Sequence, residues 1–64
     1  MRLILPDRTE RVIATGPVTL ERLLLAEGIN PLEVIATRDG ALIPEDADIG
    51  NDDVIRLIRI AHGG

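Results

Sequence analysis

The 64-residue sequence contains no cysteine, no lysine and no aromatic residue, and its only methionine is Met1. Without cysteine it can form neither disulfides nor thiolate metal sites, which are the usual supports of very small domains. Its single histidine and scattered carboxylates do not make a metal cluster. Its stability must therefore come from branched aliphatic side chains packed into the one core that a chain of this size can build.

A basic excess and long apolar runs are also missing. The 11 acidic residues outnumber the seven basic ones, all arginine, and the net charge is -4. A nucleic-acid-binding protein needs a basic face to neutralise phosphates, so no direct nucleic-acid partner is expected. No apolar run approaches the roughly 20 residues of a membrane span, and Pro6 interrupts the first one too early for a signal peptide. We expect a cytoplasmic protein without a membrane partner.

What the sequence does contain is a series of short aliphatic runs separated by turn residues. Asp39-Gly40 is the strongest hairpin signal among those turns. Another hairpin, earlier in the chain, is expected around Pro6-Asp7. The predicted strands cover residues 2–5, 9–15, 34–38, 41–43 and 54–60.

One helix is expected between the strands, over residues 20–27, with Thr19 as its N-cap and Gly28 as a left-handed C-cap. Its buried stripe consists of Leu20, Leu23, Leu24 and, past the turn, Ile29, with Leu25 at the margin. The segment 44–53 is acidic and rich in turn residues, and no helix or strand is predicted for it. Its Ile49 is expected to pack into the core. The predicted architecture is α+β, a mixed sheet crossed on one face by the helix, with the last strand beside the first.

The last predicted strand has two different faces, because successive side chains alternate across a sheet. Ile55 and Leu57 share one face, whereas Arg56, Ile58 and Ile60 share the other. If the first pair faces the helix, the other three form an exposed surface that leads to the last residues of the sequence. Such a surface is typical of a docking site. The alternatives are that another part of the fold covers it, or that the register is shifted by one residue.

Four segments of the sequence, taken together, carry a family resemblance. They are Gly16-Pro17-Val18-Thr19-Leu20 with Leu23-Leu24, Val34-Ile35-Ala36 with Leu42-Ile43-Pro44-Glu45, Asp53-Val54-Ile55, and Gly63-Gly64. In this order the segments resemble the ThiS/MoaD family of ubiquitin-like sulfur carriers, and they are also similar to the archaeal small modifiers and the bacterial carriers of tRNA thiolation. The resemblance spans the chain and implies a β-grasp domain over residues 1–60 and a flexible tail over residues 61–64.

The resemblance implies a carrier and not an enzyme. In the family, an adenylating enzyme uses ATP to convert the carboxylate of the last glycine, here Gly64, into an acyl-adenylate. A sulfur donor then displaces AMP and leaves a thiocarboxylate, which a sulfur-acceptor synthase uses in thiamine, molybdopterin or tRNA thiouridine synthesis. The carrier binds no cofactor of its own. Two residues without side chains suit a tail that must enter a narrow channel.

Three further predictions concern residues near the tail. Ala61 and Gly63 belong to the tail with Gly64, and His62 could contact the activating enzyme, although a lone histidine on a tail is more often simply solvated. Arg56 could pair with carboxylates of a partner, and so could Arg59. The alternative for both arginines is an ordinary solvated strand charge.

Two other functions stay open. In a protein modifier, activated Gly64 would be captured by a lysine of a target protein, and a tag without lysine could not extend chains through its own side chains. In a plain binding module, the face with Ile58 and Ile60 would dock a partner and the two glycines would be incidental.

Overall fold

The computed structural model describes residues 1–60 of the chain. In that range the chain forms seven strands, one α-helix and one 3-10 turn. In chain order they are β1 Arg2–Ile4, β2 Glu10–Val12, β3 Val18–Thr19, α1 Leu20–Ala26, the 3-10 turn Pro31–Glu33, β4 Val34–Arg38, β5 Ala41–Ile43, β6 Asp48–Ile49 and β7 Val54–Arg59.

Five of the strands form one mixed sheet in the order β2-β1-β7-β4-β5. β7 lies at its centre, parallel to β1 and antiparallel to β4, so the predicted neighbourhood of the first and last strands is confirmed. α1 packs on one face of this sheet, which we call the covered face, and its leucines share a core with Leu3, Ile55 and Leu57. We call the opposite face the open face. The architecture is the predicted α+β β-grasp arrangement.

The helix begins and ends where its capping residues predict. Thr19 Oγ1 accepts a hydrogen bond from Arg22 N at 3.3 Å, and Gly28 has a φ of +75° just after the C-cap residue Glu27. The helix is therefore one residue shorter than predicted. The stripe Leu20, Leu23 and Leu24 is buried and Ile29 packs against it, whereas Leu25 is exposed.

Both predicted hairpins are present, and the strands on either side of Asp39-Gly40 have the predicted bounds. Asp39 and Gly40 have φ values of +54° and +79°, the paired left-handed conformation of a two-residue turn that matches strand twist. In the first hairpin β2 is shorter than the predicted residues 9–15. Its ladder is extended by the hydrogen bonds that Met1 and Ile13 exchange, at 2.8 and 2.9 Å.

The acidic segment 44–53 is more ordered than predicted. Ile49 is buried as expected, but it belongs to β6, which pairs with β3 in a separate two-stranded ladder. The same segment also caps the helix, because its backbone carbonyls at Ala47 and Glu45 accept hydrogen bonds from the N–H groups of Leu20 and Glu21, both at 2.9 Å. Such donors at a helix start have no partner within the helix. The segment thus fixes the position of the helix N-terminus.

Candidate functional site

β7 presents the two faces that its sequence predicts. Ile55 and Leu57 are 0% and 2% exposed and lie in the core, whereas Ile58 is 44% exposed on the open face. Arg56 is exposed between them, and Ile60, just past the strand, is 37% exposed. The register is therefore the predicted one, and within residues 1–60 no other element covers Ile58.

The open face carries a further exposed isoleucine that sequence reasoning missed. Ile35 of β4 lies directly opposite Ile58 in the antiparallel ladder and is 39% exposed. Directly opposed aliphatic side chains contact each other and stabilise a sheet. We call Ile35, Ile58 and Ile60 the isoleucine patch. The alternation of Val34, Ile35 and Ala36 contained the signal, but only the pairing of β4 with β7 puts Ile35 beside Ile58.

The two arginines of β7 occupy different positions. Arg56 lies opposite Thr37 of β4 and beside Ile4 of β1, in the middle of the open face. Arg59 lies at the end of β7, opposite Val34. Neither side chain forms an ion pair or a hydrogen bond with any group of residues 1–60. This is compatible with pairing to a partner's carboxylates and equally with ordinary solvated charges, so the predicted pairing stays a prediction.

A surface groove of about 600 Å³ lies where β7 passes the first hairpin, and we call it the hairpin groove. The hairpin supplies one wall, and Arg56, Ile58 and Arg59 lie on the other. From the hairpin, Pro6 and Arg8 reach its edge. The groove thus combines apolar surface with guanidinium groups directly beside the isoleucine patch.

Glu10 is the one acidic residue that lines the hairpin groove. Its carboxylate accepts a hydrogen bond from Arg2 Nε, and this contact lowers the pKa of Glu10 below its usual value. The same contact raises the pKa of Arg2. Because Arg2 neutralises Glu10, the charge of the groove is set by its arginines.

The acidic segment has a different kind of charge arrangement. Asp53 Oδ2 accepts hydrogen bonds from Gly50 N at 2.8 Å and from Arg38 Nη1 at 3.1 Å, and these two partners hold the pKa of Asp53 below its usual value. Arg38 Nη1 also donates to the carbonyl of Asp48 at 2.9 Å. These charges stabilise the loop. Among residues 1–60, no three His, Cys, Asp or Glu side chains are placed to hold a metal ion.

The tail predictions concern residues that the structure does not describe. Ala61, His62, Gly63 and Gly64 lie outside residues 1–60, and the roles given to them stay predictions. The described residue nearest to them is Ile60, whose N–H donates to the carbonyl of Glu33 at 2.9 Å. The described range contains no helix long and apolar enough to cross a membrane.

Comparison with known proteins finds a likeness of fold. No protein-family model matches the sequence, and no curated protein sequence matches it. The solution structure of a thiamine biosynthesis protein from Geobacter metallireducens superimposes with a TM-score of 0.60 at 19% sequence identity. The match covers 100% of this chain and 88% of that protein. At that identity, the similarity shows a shared fold.

Proposed function

We propose that this chain is a sulfur carrier of the ThiS type, whose Gly64 is activated and converted to a thiocarboxylate. The observation that carries the proposal is the central position of β7, whose buried side chains anchor it while its open face displays Ile58 and Arg56. The strand ends at Arg59, five residues before Gly64. The fold shared with a thiamine biosynthesis protein supports a role in cofactor synthesis.

The chemistry asks little of the carrier's own side chains. The carboxylate of Gly64 attacks the α-phosphate of ATP on a separate adenylating enzyme, pyrophosphate leaves, and an acyl-adenylate forms. Sulfide or an equivalent sulfur nucleophile then attacks the acyl carbon, AMP leaves, and the thiocarboxylate remains. This route requires a stable domain, an accessible end and a docking face. The isoleucine patch and the groove beside it suit the third requirement, since apolar contacts rimmed by arginine are typical of protein interfaces.

The sulfur reaction is tested by intact mass spectrometry. The protein is incubated with ATP, sulfide and an adenylating enzyme already shown to be active on another carrier. We expect a mass gain equal to the exchange of one oxygen for sulfur, together with pyrophosphate release, and neither in a Gly64 deletion variant. Adenylation without sulfur uptake would favour a protein modifier. The absence of both would favour a plain binding module.

The docking role of Ile58 is tested by a matched pair of variants. Ile58→Glu places a charge in the isoleucine patch, whereas Leu25→Glu places one at a 59% exposed leucine of the helix on the other side of the molecule. We expect Ile58→Glu to weaken binding to the adenylating enzyme by tenfold or more, on the order of 1.4 kcal/mol, while Leu25→Glu binds normally. Equal binding of the two variants, with unfolding curves as cooperative as the parent's, would exclude Ile58 from the interface.

A further inference from the structure

Three arginines from two distant parts of the sequence line the hairpin groove. Arg8 belongs to the loop between β1 and β2, and Arg56 and Arg59 belong to β7. Arg56 lies on the open face, whereas Arg59 alternates to the side of Ile55 and Leu57 and borders the groove at the end of the strand. None of the three side chains forms an ion pair or a hydrogen bond within residues 1–60. By contrast, Arg2, Arg11 and Arg38 each pair with a carboxylate. The unpaired arginines are therefore concentrated at this groove, with Arg22 of the helix as the exception elsewhere.

The hairpin loop holds Arg8 in a defined backbone conformation. Arg8 N donates to the carbonyl of Leu5 and Leu5 N donates to the carbonyl of Thr9, both at 2.8 Å, so the loop closes tightly. In that loop Arg8 has a φ of +73°, a conformation that favours glycine. Asp7 supports it by accepting hydrogen bonds from Thr9 N and Thr9 Oγ1 at 3.0 and 2.6 Å. This is the left-handed position of a three-residue hairpin loop, so the loop fixes the backbone of Arg8 at the edge of the groove.

These observations identify the chemistry of an occupant. We propose that the hairpin groove binds a carboxylate-rich segment of a protein partner, with Arg8 and Arg56 as its carboxylate-binding side chains. Guanidinium groups bind carboxylates through paired hydrogen bonds. Ile58 and Pro6 line the same groove and supply the apolar surface that a peptide also needs. Identifying the partner as the adenylating enzyme rests on the proposed function, whereas the chemistry of the groove does not.

A protein segment suits the groove better than a nucleic acid does. The whole chain has a net charge of -4, and residues 44–53 contain five acidic residues and no basic one. A phosphate backbone would be repelled by most of the molecule and would meet only a short row of arginines. A short acidic peptide can occupy the groove without approaching the acidic segment.

The proposal is tested by NMR titration of the uniformly 15N-labelled 64-residue protein. The probe is the acetylated, amidated hexapeptide Leu-Glu-Asp-Leu-Glu-Asp, and the matched control peptide has Gln and Asn in place of Glu and Asp. We expect saturable shifts of the backbone and arginine Nε–H signals of Arg8 and Arg56 with the acidic peptide alone. We also expect the affinity to fall as sodium chloride is raised.

Variants separate charge from backbone conformation. Arg8→Gln and Arg56→Gln should each weaken peptide binding about 1.5- to 5-fold, the range of exposed ion pairs, while Arg22→Gln on the helix leaves it unchanged. Arg8→Gly should weaken binding as much as Arg8→Gln does. However, it should melt at a higher temperature than Arg8→Gln, because glycine adopts the left-handed conformation without a steric cost.

Several outcomes would overturn the proposal. Equal binding of the acidic and amide peptides would mean that the apolar residues alone bind peptide. Shifts of the same two arginines at comparable concentrations of inorganic phosphate or oligouridylate would make the groove a general anion or nucleic-acid site. No saturable shift with any probe would leave the groove without this function. The titration needs no adenylation, so a negative result here and a failed sulfur transfer are separate findings.

Discussion

The two faces of the five-stranded sheet use the same types of residue for different purposes. On the covered face, Ile55 and Leu57 are buried in the core, and Arg38 is held by Asp53 and the carbonyl of Asp48. On the open face, Ile58 stays exposed and Arg56 has no partner in residues 1–60. The covered face therefore contributes to folding, and the open face stays exposed for the partner that we propose. Substitutions on matched pairs across the sheet can measure this difference.

The largest difference is expected between isoleucines on opposite faces of β7. Ile55→Ala removes methylene and methyl groups from a fully buried site and should cost about 2–5 kcal/mol of unfolding free energy, and Ile55→Val about 0.5–1.5 kcal/mol. Ile58→Ala and Ile58→Val should cost clearly less, because Ile58 is already 44% exposed. Thermal unfolding followed by far-UV circular dichroism measures both pairs. Equal losses at the two positions would mean that the open face also stabilises the fold.

A smaller difference is expected between the arginines. Arg38→Gln removes the cation beside Asp53 and should cost about 1 kcal/mol, the upper end for a partly exposed pair. Arg56→Gln should leave the melting temperature unchanged, since Arg56 has no partner within residues 1–60. The same unfolding measurement compares them. A lower melting temperature for Arg56→Gln would show that Arg56 stabilises the folded protein.

Acid should lower the free energy of unfolding by protonating Asp53, the partner of Arg38 on the covered face. Gly50 N–H and Arg38 lower the pKa of Asp53 in the folded protein, so its stabilising contribution is present above the unfolded-state pKa and is lost as the pH falls through the folded-state value. Asp53→Asn should therefore melt below the parent at neutral pH, and the gap should narrow below about pH 4, where the unfolded-state carboxyl gains its proton. Melting temperatures from pH 7 to pH 2 measure the gap. A constant gap would assign the loss to geometry and not to charge.

The covered face was largely predictable from the sequence, and the open face only in part. Asp39-Gly40 and Thr19 specify a turn and a helix start by local chemistry, and both are where they were predicted. The pairing of β6 with β3 was missed, because a two-residue ladder between distant segments leaves no local signal. Ile35 was missed for the same reason, since its role depends on the strand that lies beside it.

The position of Arg8 at the groove could not be predicted from the sequence either. Nothing in Pro6-Asp7-Arg8-Thr9 distinguishes this arginine from an ordinary turn residue. Its left-handed backbone and its position across a groove from Arg56 and Arg59 arise only when the hairpin closes beside β7. Periodicity predicts which side of a strand a residue lies on, whereas convergence of residues from separate elements requires the assembled sheet.

The smallest effect is expected from the ion pair of Arg2 and Glu10. This pair differs from the rest of the open face, because its arginine has a carboxylate partner. Both side chains are well exposed, so the attraction is screened by water and salt, and holding two flexible side chains together offsets most of it. Glu10→Gln should therefore leave the melting temperature unchanged within error at 0.15 M salt. The charge of the hairpin groove should nevertheless become more positive, because Arg2 then loses its partner. The acidic hexapeptide should consequently bind Glu10→Gln more tightly than the parent, and unchanged binding together with a lower melting temperature would make this pair part of the fold.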